Sequence, residues 1–274
     1  MELARQFQQA AELIRGAGAL LITAGAGMGV DSGLPDFRGD SGFWRAYPLY
    51  AKLGLSFAAA ANPDHFERDP RFGWGFYGHR TNLYRATVPH AGFGLLLSWI
   101  ERLGLDAFVA TSNVDGQFQK AGFPEQGILE FHGSIHHLQC SRPCSELIWA
   151  NRESFRIDEE TMRAAEVPLC PRCAAVARPN ILMFGDYAWI EERTRRQQER
   201  FRSFLAQQAG RAIVVVELGA GSAIPTVRAA SERVGGLARA RVIRINPREP
   251  QIAAPHLSLP CGALEALRGI DALL

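Results

Sequence analysis

The sequence predicts an α/β protein: a doubly wound, mostly parallel sheet interrupted by two insertions. Three observations predict it. Short, continuous apolar runs recur along the chain, helical stretches separate them, and two long segments break the alternation. With 274 residues the chain is long enough to bury a sizeable core, as one large domain or as a large and a small one.

The elements follow in order. Residues 3–15 place Leu3, Phe7, Ala10, Ala11, Leu13 and Ile14 at helical spacing, and Gly16 ends that helix. Residues 19–23 are an unbroken apolar run before glycines, the pattern of a parallel strand buried on both faces. Similar runs recur at 107–111, 213–218 and 241–245, with a weaker one at 127–131. Helices at 91–103 and 198–208 separate them. Residues 40–88 are aromatic and glycine-rich, with Pro48, Pro63 and Pro70 as breaks, and read as an irregular helical insertion. Residues 135–178 carry four paired cysteines and read as a metal-stapled insertion. Residues 1–39, 89–134 and 179–274 then make up the sheet domain. Both insertions are expected on one side of it, across a cleft.

Composition narrows the class. Apolar residues make up 47% and charged residues 21%, with a net charge of +2, which gives no case for a nucleic acid or an anionic membrane as partner. The mixed-charge run 191–200 reads as a solvated helix face. No apolar run reaches membrane-spanning length, and the N-terminus lacks the basic-then-apolar order of a signal peptide. A cytoplasmic location is therefore expected. In that reducing compartment paired cysteines are metal ligands rather than disulfides.

Gly25, Gly27 and Gly29 follow the first strand directly. Glycines there allow a tight turn and a close approach of backbone N–H groups to a pyrophosphate. The usual dehydrogenase spacing is not met, and glycine spacing alone suits a plain strand-to-loop turn equally well. The loop continues as Asp31-Ser-Gly-Leu-Pro-Asp36-Phe37-Arg38, which adds an acid, an aromatic ring and a guanidinium. Further on, Thr111-Ser112-Asn113-Val114-Asp115-Gly116 and Phe131-His132-Gly133 each end a predicted strand, where ligand contacts belong in an open α/β sheet. Histidine has the pKa to take a proton near neutral pH. Cys140 and Cys144, then Cys170 and Cys173, are spaced C-x3-C and C-x2-C with 25 residues between the pairs. Four thiolates so spaced suit a structural zinc with no open coordination position. Cys261 stands alone and reads as a packed apolar residue.

These motifs resemble the sirtuins, the NAD-dependent lysine deacylases. The loop matches the signature G-A-G-x-S-x-x-S-G-I-P-D-F-R, except that Gly29 replaces serine and Leu34 replaces isoleucine. T-Q-N-I-D appears with Ser112 and Val114, and the histidine–glycine pair matches at 132–133. The segment 178–186 is similar to R-P-x-V-V-x-F-G-E, with Asp186 last. Residues 219–225 stand where the family has G-T-S-L-x-V-x-P, and Ile245-Asn246 matches its I-N.

The resemblance implies a Rossmann-like sheet with a helical insertion and a zinc module. It implies NAD as co-substrate, contacted by Gly25, Ala26, Gly27, Asp36, Phe37, Arg38, Ser112, Asn113, Asp115, Gly219, Ser222 and Asn246. Within that set Asp115 and the Val114 backbone would hold the nicotinamide carboxamide, and Asn113 would order the ribose and a water. His132 would be the catalytic base. Phe184 and Gly185 would border the tunnel for an acylated lysine of a protein substrate, whose backbone adds as a strand. Tyr77 and Arg80 match a Y-x-x-R pair that marks succinyl- and malonyl-preferring members. Mono-ADP-ribosyl transfer, NAD hydrolysis and non-catalytic NAD sensing remain alternatives on the same fold.

Overall fold

The computed structural model describes residues 2–36 and 39–274. Among the described residues the helices are α1 (Glu2–Arg15), α2 (Gly39–Ala46), α3 (Pro48–Lys52), α4 (Phe57–Ala60), α5 (His65–Arg68), α6 (Pro70–Ala86), α7 (Ala91–Leu103), α8 (Gln117–Lys120), α9 (Glu192–Gln207), α10 (Thr226–Gly235) and α11 (Ala263–Asp271). The strands are β1 (Ala19–Ala24), β2 (Asp106–Thr111), β3 (Ile128–Glu130), β4 (Gly133–Cys140), β5 (Ile148–Ala150), β6 (Ile157–Asp158), β7 (Arg163–Ala164), β8 (Ala177–Ile181), β9 (Ile213–Leu218), β10 (Ala240–Ile245) and β11 (Leu257–Leu259).

Six strands form one parallel sheet in the order β11-β10-β9-β1-β2-β3. Every residue of β1 is buried, as its unbroken apolar run requires. Its side chains alternate between two cores. Leu20, Ile22 and Ala24 pack with Ala10, Ile14, Phe93, Trp99 and Leu267, under α1, α7 and α11. Ala19 and Leu21 pack with Phe108, Phe204 and Val234, under α9 and α10. Two charges inside buried strands compensate each other. Arg244 of β10 stands opposite Glu217 of β9 in the ladder and meets it in a two-point ion pair.

The two insertions share a third core, which includes Trp74, Phe76, Tyr77, Phe155, Ile135, Leu138 and Ile181. Helix α6 carries most of this contact. Trp74 stacks on Phe155 at 4.6 Å and donates to the Ala177 carbonyl at 2.8 Å. Gly75 permits the approach, because a Cβ there would lie 1.7 Å from the Met162 carbonyl oxygen. The antiparallel sheet β5-β4-β8 begins one residue after His132, so the second unit hangs from the carboxyl end of β3. No described helix is long and apolar enough to cross a membrane.

Candidate active site and metal centre

The loop after β1 forms a 3-10 turn over Ala26–Ser32, closed by Gly33 in the left-handed region (φ 83°). It is held from several sides. His90 donates its backbone N–H to Ser32 Oγ, and its ring Nε2 bonds the Met28 carbonyl. Asp31 accepts from the Leu264 N–H at the start of α11. The two departures from the family signature touch each other, since a Cβ on Gly29 would press Leu34 at 3.2 Å.

A second loop interlocks with the first. Gly27 N–H donates to the Gly219 carbonyl at 3.1 Å. A Cβ on Gly25 would lie 2.8 Å from the Gly219 oxygen, and one on Gly219 2.4 Å from the Gly27 carbonyl carbon. Only glycine backbones pass this closely. Ala26 is exposed above it. From the β10 end, Asn246 donates its amide to the Ala220 carbonyl at 2.8 Å. Ser222 faces Glu249: its N–H and Oγ both bond that carboxylate, at 3.0 and 2.7 Å. A ligand that used Ser222 would have to displace Glu249. Asp36 is half-buried, and Phe37 and Arg38 lie outside the described residues.

The β2 end supplies the next group. Ser112 N–H bonds the Ala24 carbonyl, and Asn113 donates its backbone N–H to Thr111 Oγ1 at 3.0 Å. Its amide donates to the Gly25 carbonyl at 3.0 Å, which joins Asn113 to the glycine loop. Asp115 is buried and accepts from the Gln117 N–H at 3.0 Å. Burial raises its pKa to about 6; Glu130 adds to the rise, while the Gln117 N–H and Arg80 oppose it.

His132 stands in the turn two residues after β3, half-buried. Its Nε2 stands 3.3 Å from Thr226 Oγ1 at the first residue of α10. The ring also bonds the Ser112 backbone in the sense that favours its protonated form, so the ring donates there. Burial dominates and pushes its pKa below the ordinary value, so the ring is neutral near pH 7. The nitrogen that donates there leaves the other as the basic one. Gly25, Asn113, Asp115 and His132 thus converge at the carboxyl ends of adjacent parallel strands.

The 182–188 loop borders the same region, through Leu182 N–H bonded to the His132 carbonyl. Asp186 organises it, accepting from Met183 and Ala188 N–H groups and forming a bidentate pair with fully buried Arg178. Phe184 is 41% exposed and meets Phe57 edge-on, and Gly185 takes φ 68°. Tyr77 and Arg80 lie inside the third core, 1% and 6% exposed. Arg80 donates through Nε to Tyr84 OH at 2.9 Å, and its guanidinium lies over the rings of Phe57, Phe76, Tyr77 and Tyr84. Burial pushes the Tyr77 hydroxyl up to about 12, with Arg80 pulling it back, so it stays a donor.

The four paired cysteines meet in one cluster. Their sulfurs all lie within 4.8 Å of one another, with Cys140–Cys173 at 3.6 Å and Cys144–Cys170 at 3.7 Å. A tetrahedral zinc with bonds of about 2.3 Å sets sulfurs roughly 3.8 Å apart, so the cluster fits that ion. Cys140 ends β4, and Cys170 and Cys173 stand in the turn before β8, so the metal would pin the far end of the small sheet.

Several neighbours escaped the sequence reading. Tyr84 was within reach, because 77, 80 and 84 share one helical face. Thr226 and Glu249 are brought in only by tertiary folding, and the ring of His136, close to His132 in sequence, bonds the Asp115 carbonyl at 2.9 Å.

Comparison with known proteins agrees with this geometry. Residues 25–212 match the sequence model of the Sir2 family. The chain is 30% identical over 179 residues to an NAD-dependent protein deacylase of Thermococcus sibiricus, an alignment covering 65% of each chain. It therefore spans just under two thirds of that relative's length. It is 29% identical over 248 residues to NAD-dependent protein deacylase 1 of Caldanaerobacter subterraneus subsp. tengcongensis, covering 89% of each. A solved Sir2 enzyme structure superposes over 100% of this chain and 98% of its own, with 25% identity and a TM-score of 0.67. A sequence match over more than half of the chain, on the same fold, makes this protein a member of the Sir2 family.

Proposed function

We propose that this protein is an NAD-dependent protein lysine deacylase that yields free lysine, nicotinamide and an O-acyl-ADP-ribose. The observation that carries the reading is Asn113, whose amide bonds the Gly25 carbonyl, with Asp115 and His132 following the carboxyl ends of the neighbouring strands β2 and β3. NAD supplies the ADP-ribosyl group that accepts the acyl oxygen, with nicotinamide as leaving group. The turn at Ala26, exposed above the interlocked glycines, would receive the pyrophosphate. Asp115 accepts from the carboxamide N–H, and Asn113 orients the ribose side. His132 would take a proton from a ribose hydroxyl that replaces Thr226 Oγ1 at the ring, which the Ser112 backbone holds in place. Phe184 and Gly185 border the lysine entrance. The similarity to NAD-dependent protein deacylases of Thermococcus sibiricus and Caldanaerobacter subterraneus supports this reading.

The acyl group is read as one that ends in a carboxylate. Arg80 is a buried cation ringed by Phe76, Tyr77 and Tyr84, and Tyr77 keeps a hydroxyl donor beside it. A terminal carboxylate that reached this cation would be paired there, which favours succinyl- or malonyl-lysine.

The full chain should be incubated with NAD and matched acetyl-, succinyl- and malonyl-lysine peptides, with nicotinamide release measured. Peptide-dependent release is expected, fastest with the acidic acyl groups. Release without peptide would replace deacylation by NAD hydrolysis. No release at all would refute an enzymatic role.

A further inference from the structure

The sheet face that carries α9 and α10 holds a cavity of about 740 Å³. Ile213 and Ala240 line it, and they open β9 and β10, so it reaches the end of those strands opposite Gly219 and Asn246. Leu129, Phe131 and Val234 complete an apolar floor, and Phe201 and Leu205 of α9 form one wall. Leu237, 48% exposed, stands at its edge. The volume falls in the range of about 300–1,000 Å³ typical of small-ligand sites.

The charge of the lining has one sign. Arg202, Arg211, Arg233 and Arg239 line the cavity, and no acidic side chain does. Two of these arginines are engaged: Arg211 with Asp106, and Arg239 with the Gly210 carbonyl. Arg202 on α9 and Arg233 on α10 are exposed and have no hydrogen-bond or ion-pair partner among the described residues. One guanidinium therefore stands on each wall of an apolar trough. A forked cation at the rim suits a carboxylate head, and the trough suits an unbranched tail. A folded protein partner would need a surface of roughly 800 Å² on each side rather than one small concavity.

We propose that this cavity binds a long-chain fatty carboxylate, with its tail between α9 and α10 and its head on Arg202 and Arg233. The site is independent of the deacylase reading, and its test needs no turnover. The full chain should be titrated with the fluorescent fatty acid cis-parinarate, followed by displacement with dodecanoate, dodecyltrimethylammonium or anionic phospholipid vesicles. Saturable one-site binding, displaced by dodecanoate and not by the cation, is expected. The double variant Arg202→Glu/Arg233→Glu should weaken it at least tenfold. Ala206→Trp, which fills the cavity from an exposed helix position and keeps both arginines, should do the same; unchanged melting temperatures would show that both variants are folded. Overturning results are absent or non-saturable binding, equal displacement by the cation, or unchanged affinity in both variants. A preference for vesicles over free dodecanoate, or a stable dimer that dodecanoate does not dissociate, would assign the face to a membrane or a second copy and refute the proposal.

Discussion

Replacing Asp115 by asparagine should make the protein more stable and less competent. The carboxyl titrates near 3.8 when solvated, and burial raises it to about 6 in the fold. Between these values the folded protein holds a proton that the unfolded chain has released. Stability therefore falls as pH rises through that window, and the loss is constant above it. Just over two pH units at about 1.4 kcal/mol each give about 3 kcal/mol. Asparagine keeps an oxygen to accept from the Gln117 N–H and removes the charge. At pH 7.5 the Asp115→Asn variant should gain up to about 3 kcal/mol, a rise of roughly 5–10 °C in Tm. At pH 3.5 the gain should vanish. Urea unfolding followed by circular dichroism at both pH values measures it. A variant less stable than the parent at pH 7.5, or equally stabilised at both, would refute the reasoning. The same variant should lose nicotinamide exchange, because a functional carboxylate buried at the expense of stability is what a binding role requires.

Other expected outcomes follow from the same geometry. His132→Ala should abolish acyl transfer while sparing NAD binding by calorimetry, and the parent's acid limb in kcat/KM should have its midpoint below about 6.5, since burial lowers the imidazole pKa. Metal analysis should find about one zinc per chain, and Cys170→Ala/Cys173→Ala should lose both the zinc and the cooperative melt. Asp186→Asn leaves the Arg178 guanidinium, 1% exposed, without its charge partner and should cost about 3–5 kcal/mol; Asp186→Glu restores the charge at about 1–3 kcal/mol of overpacking. Arg80→Met should shift preference from succinyl- toward acetyl-lysine by roughly tenfold or more, read as the ratio of rates on matched peptides.

What the sequence disclosed, and what it withheld, follows from how far apart the interacting residues lie. The parallel sheet was legible because burial on both faces writes itself as unbroken apolar runs; β1, β2, β9 and β10 fall within a residue of the expected bounds. β11 escaped notice, because three residues at a sheet edge leave too short a run. The helix expected at 198–208 and the charged helix face expected at 191–200 are one element, α9 from Glu192, whose first turns are held by Arg195 and Arg196 on Glu192 rather than by apolar spacing. The shared core of the two insertions was hidden for a different reason. Each segment is irregular by itself, and the contact is made by α6 against chain eighty residues further on, through a glycine whose role appears only when the Met162 carbonyl lies against it. The site divides the same way. Asn113, Asp115 and His132 stand at strand ends, so topology alone aims them at one cleft. Thr226, which meets the His132 ring, and Tyr84, which holds Arg80, act through side-chain geometry. Chemistry fixed by strand ends is readable from a single sequence. The positioning of that chemistry is set by packing and emerges only with the fold.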